Sequence, residues 1–179
     1  MASTTNIVLI GPMGSGKSAV GRRLAKQLHR EFADSDELVE QRTGVDIAYI
    51  FEKEGEPGFR KREREVISEL SKRRGIVIAT GGGAILSARN RSNLSRSGHV
   101  VYLHTSVSQQ LKRTRRGKER PLITEGDPEA VLTELMTRRE PLYRDIADTV
   151  VETDGRTVAA VARELRDRLS AETRLSSAG

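Results

Sequence analysis

Short apolar runs alternate with longer amphipathic stretches along the chain. Ile7-Val8-Leu9-Ile10 is continuous and closed by Gly11, the pattern of a strand buried on both faces. Val20, Leu24 and Leu28 then recur at helical spacing. Glu31-Phe32-Ala33 is a short strand candidate. Asp46 reads as the N-cap of a helix carrying Ile47, Ile50 and Phe51, stopped at Gly55. Pro57 opens the next helix, with Phe59, Glu63, Val66, Ile67 and Leu70 along one side. Ile76–Ala79 is a second firm strand, ended by Gly81-Gly82-Gly83, and Val100–Leu103 is a third. Ser106 caps a helix bearing Val107 and Leu111, and Lys112 to Arg120 reads as a basic loop. Asp127-Pro128 starts a helix with Val131, Leu132, Leu135 and Met136 inward, which Pro141 should break. Thr149-Val150-Val151 is a last short strand. Val158, Val161, Leu165 and Leu169 line a closing helix, and the polar stretch from Ser170 should fray.

Strands alternating with helices specify an α/β fold, a parallel sheet covered on both faces. Right-handed crossovers place all strand C-termini on one edge, where ligands of such sheets bind. At 179 residues the chain suits one domain. The absence of cysteine excludes disulfide frameworks, thiolate zinc sites and cysteine nucleophiles. No apolar run approaches the roughly 18 residues of a membrane span, and the start lacks the pattern of a secretory signal. A cytoplasmic protein without membrane partners is the expectation. The net charge of +6 fits either anionic small molecules or a nucleic-acid patch. Aromatic residues make up only 3% of the chain, which disfavours single strands held by base stacking.

Gly11-Pro12-Met13-Gly14-Ser15-Gly16-Lys17-Ser18 matches the phosphate-loop pattern G-x-x-x-x-G-K-[ST], between a buried strand and an amphipathic helix. Glycines let successive backbone N–H groups converge on phosphate oxygens, and the following helix N-terminus adds its dipole. Lys17 supplies a cation for the β- and γ-phosphates of a nucleotide, and Ser18 a hydroxyl for Mg2+. Asp34-Ser35-Asp36 follows the second strand candidate. If extended, it turns both carboxylates to one pocket, one for Mg2+ through water and one for a substrate hydroxyl; alternatively Asp34 caps a helix bearing Leu38 and Val39. The Gly81–Gly83 run bares backbone to a close ligand. Its strand lacks the terminal Asp of an ordinary Walker B, which leaves Asp34 as the better magnesium candidate.

Three arginines stand out by location. Arg60 lies near the start of a helix, where its charge opposes the dipole and needs an anion, either Glu63 or a ligand. Arg139 precedes Pro141-Leu142-Tyr143, and its guanidinium fork suits a carboxylate. Arg120-Pro121 ends the basic stretch, which has the composition of a phosphate-covering lid. His29, His99 and His104 show no metal-ligand spacing.

Taken together in this order, these segments resemble the shikimate kinases. The resemblance rests on residues 11–18, Asp34-Ser35-Asp36, Gly55 to Arg60, Thr80 to Gly83, Arg120-Pro121-Leu122 and Arg139 to Tyr143, and spans about Asn6 to Leu169. It implies a three-layer P-loop kinase of the nucleoside-monophosphate-kinase type with a five-stranded parallel sheet. The domain would cover 1–170, with a lid at about 112–125, substrate-binding helices at about 36–62 and a tail at 171–179. It implies ATP-dependent phosphorylation of the 3-hydroxyl of shikimate, on the route to chorismate and the aromatic amino acids. By resemblance, Gly14, Ser15, Gly16, Lys17, Ser18 and Ala19 cradle ATP, and Arg113 and Arg156 flank adenine. Asp36, Arg60, Gly81, Gly82, Gly83 and Arg139 hold shikimate. Ser18 and Asp34 serve Mg2+, Glu63 supports the arginines, and Lys17, Asp36 and Arg120 carry the chemistry. A gluconate kinase, a basic nucleotide-dependent nucleic-acid protein and a degenerate kinase scaffold stay open as alternatives. A monomer is the default.

Overall fold

A computed structural model describes residues 4–114 and 126–178. The described strands form one five-stranded parallel sheet in the order β2-β3-β1-β4-β5. In chain order they are β1 (Asn6–Ile10), β2 (Phe32–Asp34), β3 (Val77–Ala79), β4 (Gly98–His104) and β5 (Thr149–Glu152). The helices are α1 (Lys17–Gln27), α2 (Ser35–Thr43), α3 (Ile47–Lys72), α4 (Ala88–Ser97), α5 (Val107–Thr114), α6 (Pro128–Ile146) and α7 (Val158–Ser177).

The unbroken apolar strands follow from burial on both faces. Ile7 and Leu9 of β1 point into a layer with Val20 and Leu24 of α1 and Val161 and Leu165 of α7. Val8 and Ile10 point into the opposite layer, with Val66, Ile67 and Leu70 of α3, Leu94 of α4 and Tyr143 of α6. β3 and β4 divide their residues in the same alternation. Asn6, fully buried, pins the sheet's lower end: its Oδ1 accepts from the Ile76 N–H and its Nδ2 donates to the Arg73 carbonyl.

Four details depart from the sequence pattern. Helix α4 went unforeseen, because Ala88 to Ser97 is polar apart from Leu94. It is set by the Ser87 cap on the Asn90 N–H, by burial of Leu94, and by the Asn90 amide donating to the Ala84 carbonyl. Pro141 does not break α6, which runs through it. A mid-helix proline costs about 3 kcal/mol. Here Leu132, Arg139 and Tyr143 are buried along one stripe and hold the helix together. The basic stretch is helical as far as Thr114, so Arg113 lies in the last turn of α5. Finally, α7 continues to Ser177 instead of fraying, although residues 170–178 are all exposed.

Helix α3 contains the break that the sequence placed at Gly55, whose φ of 70° and ψ of 179° interrupt the helical geometry. Arg62 spans the bend, donating to both carboxylate oxygens of Glu54 at 3.0 and 2.6 Å. The turn after this kink presents Arg60 to the upper edge of the sheet.

Gly98 begins β4 directly against β1, and a Cβ there would overlap the Asn6 carbonyl. Gly98→Ala must push the two central strands apart. The expected loss is about 2–3 kcal/mol, read as a lowered urea midpoint with an unchanged slope.

Candidate active site

The C-terminal edge of the sheet gathers a phosphate loop, an acidic strand end, a bare glycine run and two arginines, one buried and one half-buried. The phosphate loop joins β1 to α1. Gly11, Gly14 and Gly16 have φ of 149°, 78° and 86°, conformations that side chains resist, and these let the backbone curl. The amides of Lys17, Ser18 and Ala19 open α1, where an α-helix has no internal acceptors for its first N–H groups. The Lys17 ammonium folds back over the loop, donating to the carbonyls of Gly11 at 2.7 Å and Pro12 at 2.8 Å and to Ser15 Oγ at 3.4 Å.

Asp34 satisfies both sequence readings at once. It closes β2 and caps α2, its Oδ1 accepting from the Asp36 N–H at 2.9 Å and the Glu37 N–H at 3.1 Å. Its Oδ2 accepts from the Ser18 hydroxyl. The carboxylate and the loop serine thus share one spot, and both border the main cavity. The extended geometry expected for Asp34 to Asp36 is absent, because α2 begins at Ser35. Asp36 reaches the same cavity from the first helical turn instead.

The glycine run works through missing Cβ atoms, since none of its three residues has positive φ. A Cβ on Gly81 would lie 2.6 Å from Asp36 Oδ1 and 3.0 Å from Glu63 Oε2. A Cβ on Gly82 would lie 3.4 Å from Arg139 Nη1, and one on Gly83 would overlap the Arg60 guanidinium. The run is therefore a platform on which acids and arginines rest directly on backbone.

Arg60 is clamped by two carboxylates. Nη1 donates to Glu63 at 3.0 Å, and Nε and Nη2 donate to Glu56 at 3.3 and 3.1 Å. Burial opposes the charge on Arg60, but Glu63 and Glu56 outweigh it and hold the guanidinium above the ordinary arginine range. Glu63 is the deeper partner, at 1% side-chain exposure against 15% for Arg60. Burial accordingly pushes its carboxyl up, against the pull of Arg60. The role of Glu56 was missed in the sequence, although it stands one helical turn before Arg60, a spacing that favours pairing.

Arg139 is 4% exposed, and burial lowers its proton affinity. Its Nε lacks a hydrogen-bond partner, and no carboxylate of the described residues lies within ion-pairing distance. Arg60, Arg139, Asp36, Glu63 and the three glycines line one cavity of about 590 Å3 with Met13, Ser18, Phe51 and Phe59. Of the expected residues, Arg113 reaches the loop, donating to the carbonyls of Gly14 at 2.8 Å and Thr153 at 3.1 Å. Arg156 donates to the Glu152 carbonyl at 3.0 Å and pairs with Glu164 at 2.5 Å, which ties it to α7. Arg120, and with it most of the expected lid, lies outside the described residues.

Comparison with known proteins gives a consistent result. The family described as Shikimate kinase matches residues 13–170. A shikimate kinase of Francisella tularensis subsp. holarctica is 56% identical over 174 residues, covering 97% of this chain and 99% of the relative. One of Vibrio cholerae serotype O1 is 53% identical over 165 residues, covering 92% and 95%. Among solved structures, the shikimate kinase from Acinetobacter baumannii in complex with shikimate superposes with a TM-score of 0.92 at 48% identity, covering 96% of each chain. With its phosphate loop, strand-end acid and paired arginines set on one sheet edge, the chain belongs to the shikimate kinase family.

Proposed function

We propose that the protein transfers the γ-phosphoryl group of ATP to the 3-hydroxyl of shikimate, giving shikimate 3-phosphate and ADP. The observation that carries this reading is the pair of guanidinium groups, Arg60 half-buried and Arg139 buried, meeting at the glycine platform beside Asp36 and within the cavity that Ser18 also borders. A small cyclic acid fits it, with its carboxylate on the two arginines and a ring hydroxyl toward Asp36 and the phosphate loop. Phe51 and Phe59, their ring centroids 5.1 Å apart, give the ring an apolar wall.

Phosphoryl transfer passes through a loose transition state with charge spread over oxygen, so positioning and positive charge dominate. The backbone N–H groups of Gly14 to Ala19 hold the phosphates. Lys17 leaves its carbonyl partners for the β- and γ-oxygens, and Arg120, which lies outside the described residues, adds positive charge for the transferring group. Arg113 and Arg156 flank adenine. Asp36 orients the acceptor oxygen and accepts its proton. The Ser18 hydroxyl and Asp34 carboxylate are hard oxygen donors that meet at one point, a set that would suit Mg2+, with Ser18 binding it directly and Asp34 acting through water. When bound there, Mg2+ neutralises charge on the β- and γ-oxygens. The protein works as a cytoplasmic monomer.

A coupled ADP-release assay across a panel of hydroxy acids tests the reading. Turnover with shikimate and none with gluconate is the expected result, and the reverse order sinks it. Arg60→Ala should weaken shikimate binding severely and leave ATP binding nearly intact, since one electrostatic contact of this kind is worth about 3–4 kcal/mol. Separate titrations of the two ligands report this, and equal losses would refute the assignment. Asp34→Asn keeps a good capping side chain but removes the charge. Thermal stability should hold, while the Mg2+ concentration for half-maximal rate rises by about 10–100-fold.

A further inference from the structure

The hydroxyl of Tyr143 has a place in the fold that packing alone does not explain. Tyr143 is 1% exposed on α6, one turn after Arg139. Its ring stacks on Tyr102 with centroids 5.0 Å apart and planes 24° apart, a contact phenylalanine would make equally well. The hydroxyl is what phenylalanine would lack, and burying a hydroxyl is costly unless it is bonded. Its hydrogen bond leads into the site: the O–H donates to the Gly82 carbonyl at 2.6 Å, and Tyr143 lies near enough to Arg139 for the two side chains to influence one another electrostatically. Gly82 in turn abuts Arg139 Nη1, and a Cβ built on it would lie 3.4 Å from the backbone nitrogen of Met13 in the phosphate loop.

We propose that Tyr143 is a positioning residue for the acceptor: its hydroxyl anchors the Gly82 carbonyl, and so holds the glycine backbone beside which the Arg139 guanidinium packs and sets the carboxylate grip relative to the phosphate loop. Arg139 depends on such a brace, because its Nε is unpartnered and no described carboxylate holds it as Glu56 and Glu63 hold Arg60. Burial, outweighing the opposing pull of Arg139, pushes the Tyr143 hydroxyl up to about 12, so it remains a neutral donor at any working pH. Tyr102, which shares the stack, contributes its ring from the strand side of the same layer.

This inference rests on shikimate being the acceptor, and the test keeps the two apart. Steady-state kinetics of the full chain and of Tyr143→Phe are measured with ATP and shikimate, alongside thermal unfolding. The variant should raise the KM for shikimate about tenfold, the upper end of what losing one neutral hydrogen bond costs. Its kcat and KM for ATP should change less than about twofold, with the unfolding midpoint nearly kept. A double-mutant cycle supplies the second measurement: in an Arg139→Ala background, Tyr143→Phe should weaken shikimate binding no further, because the effect runs through Arg139. An unchanged KM for shikimate, an equal loss in both backgrounds, or a uniform fall in all constants with a lowered midpoint each overturns the inference while the wild type still turns over shikimate. A wild type inactive on shikimate overturns the functional reading, and this inference with it.

Discussion

The site depends on three consecutive residues that have no side chains. Gly81, Gly82 and Gly83 leave β3 at the upper sheet edge, between the loops that follow β1 and β2. An Asp36 oxygen and the Arg60 guanidinium occupy space that Cβ atoms would fill, and Arg139 packs just beside it. These groups come from three separate helices, α2, α3 and α6. Their meeting requires backbone thin enough to be approached from several directions, and β3 supplies it because it is anchored by burial on both faces.

Two arginines converge on this platform and are stabilised differently. Arg60 is held by opposite charge, through Glu56 at the surface and Glu63 in the interior. Arg139 is held by packing beside the Gly82 backbone, which the Tyr143 hydroxyl anchors through the Gly82 carbonyl. A carboxylate arriving between them finds one guanidinium already oriented by acids and another whose charge is poorly compensated. The second gains more from the encounter, since a buried cation without a counterion is costly. The kink at Gly55, braced by the Glu54 and Arg62 pair, fixes where the first guanidinium meets the second.

Much of this was legible in the residues. Continuous runs such as Ile7 to Ile10 and Val100 to Leu103 mark parallel strands because both faces are covered, and the phosphate loop announces itself through glycine spacing. Gly55 and Pro57 marked the bend in α3. Helix α4 was hidden because two buried residues, Asn90 and Leu94, secure an otherwise polar segment. Pro141 misled because local propensity was overridden by the buried stripe through Arg139 and Tyr143. The Asp34 carboxylate proved to be both cap and partner of Ser18, and one-dimensional reading treats those as rivals. The ties of Glu56 and Tyr143 to the arginines are contacts across turns and layers, which spacing alone suggests only weakly.

The folded-back Lys17 bears on how fast the enzyme can let go. Its ammonium is already solvated by main-chain oxygens of Gly11 and Pro12. On the proposed role of Lys17 at the phosphates, a departing diphosphate would not abandon a naked cation, since the amine has these carbonyls to return to. Such partner exchange would narrow the free-energy difference between loop with and without nucleotide, and so would favour release of spent nucleotide over its tight retention.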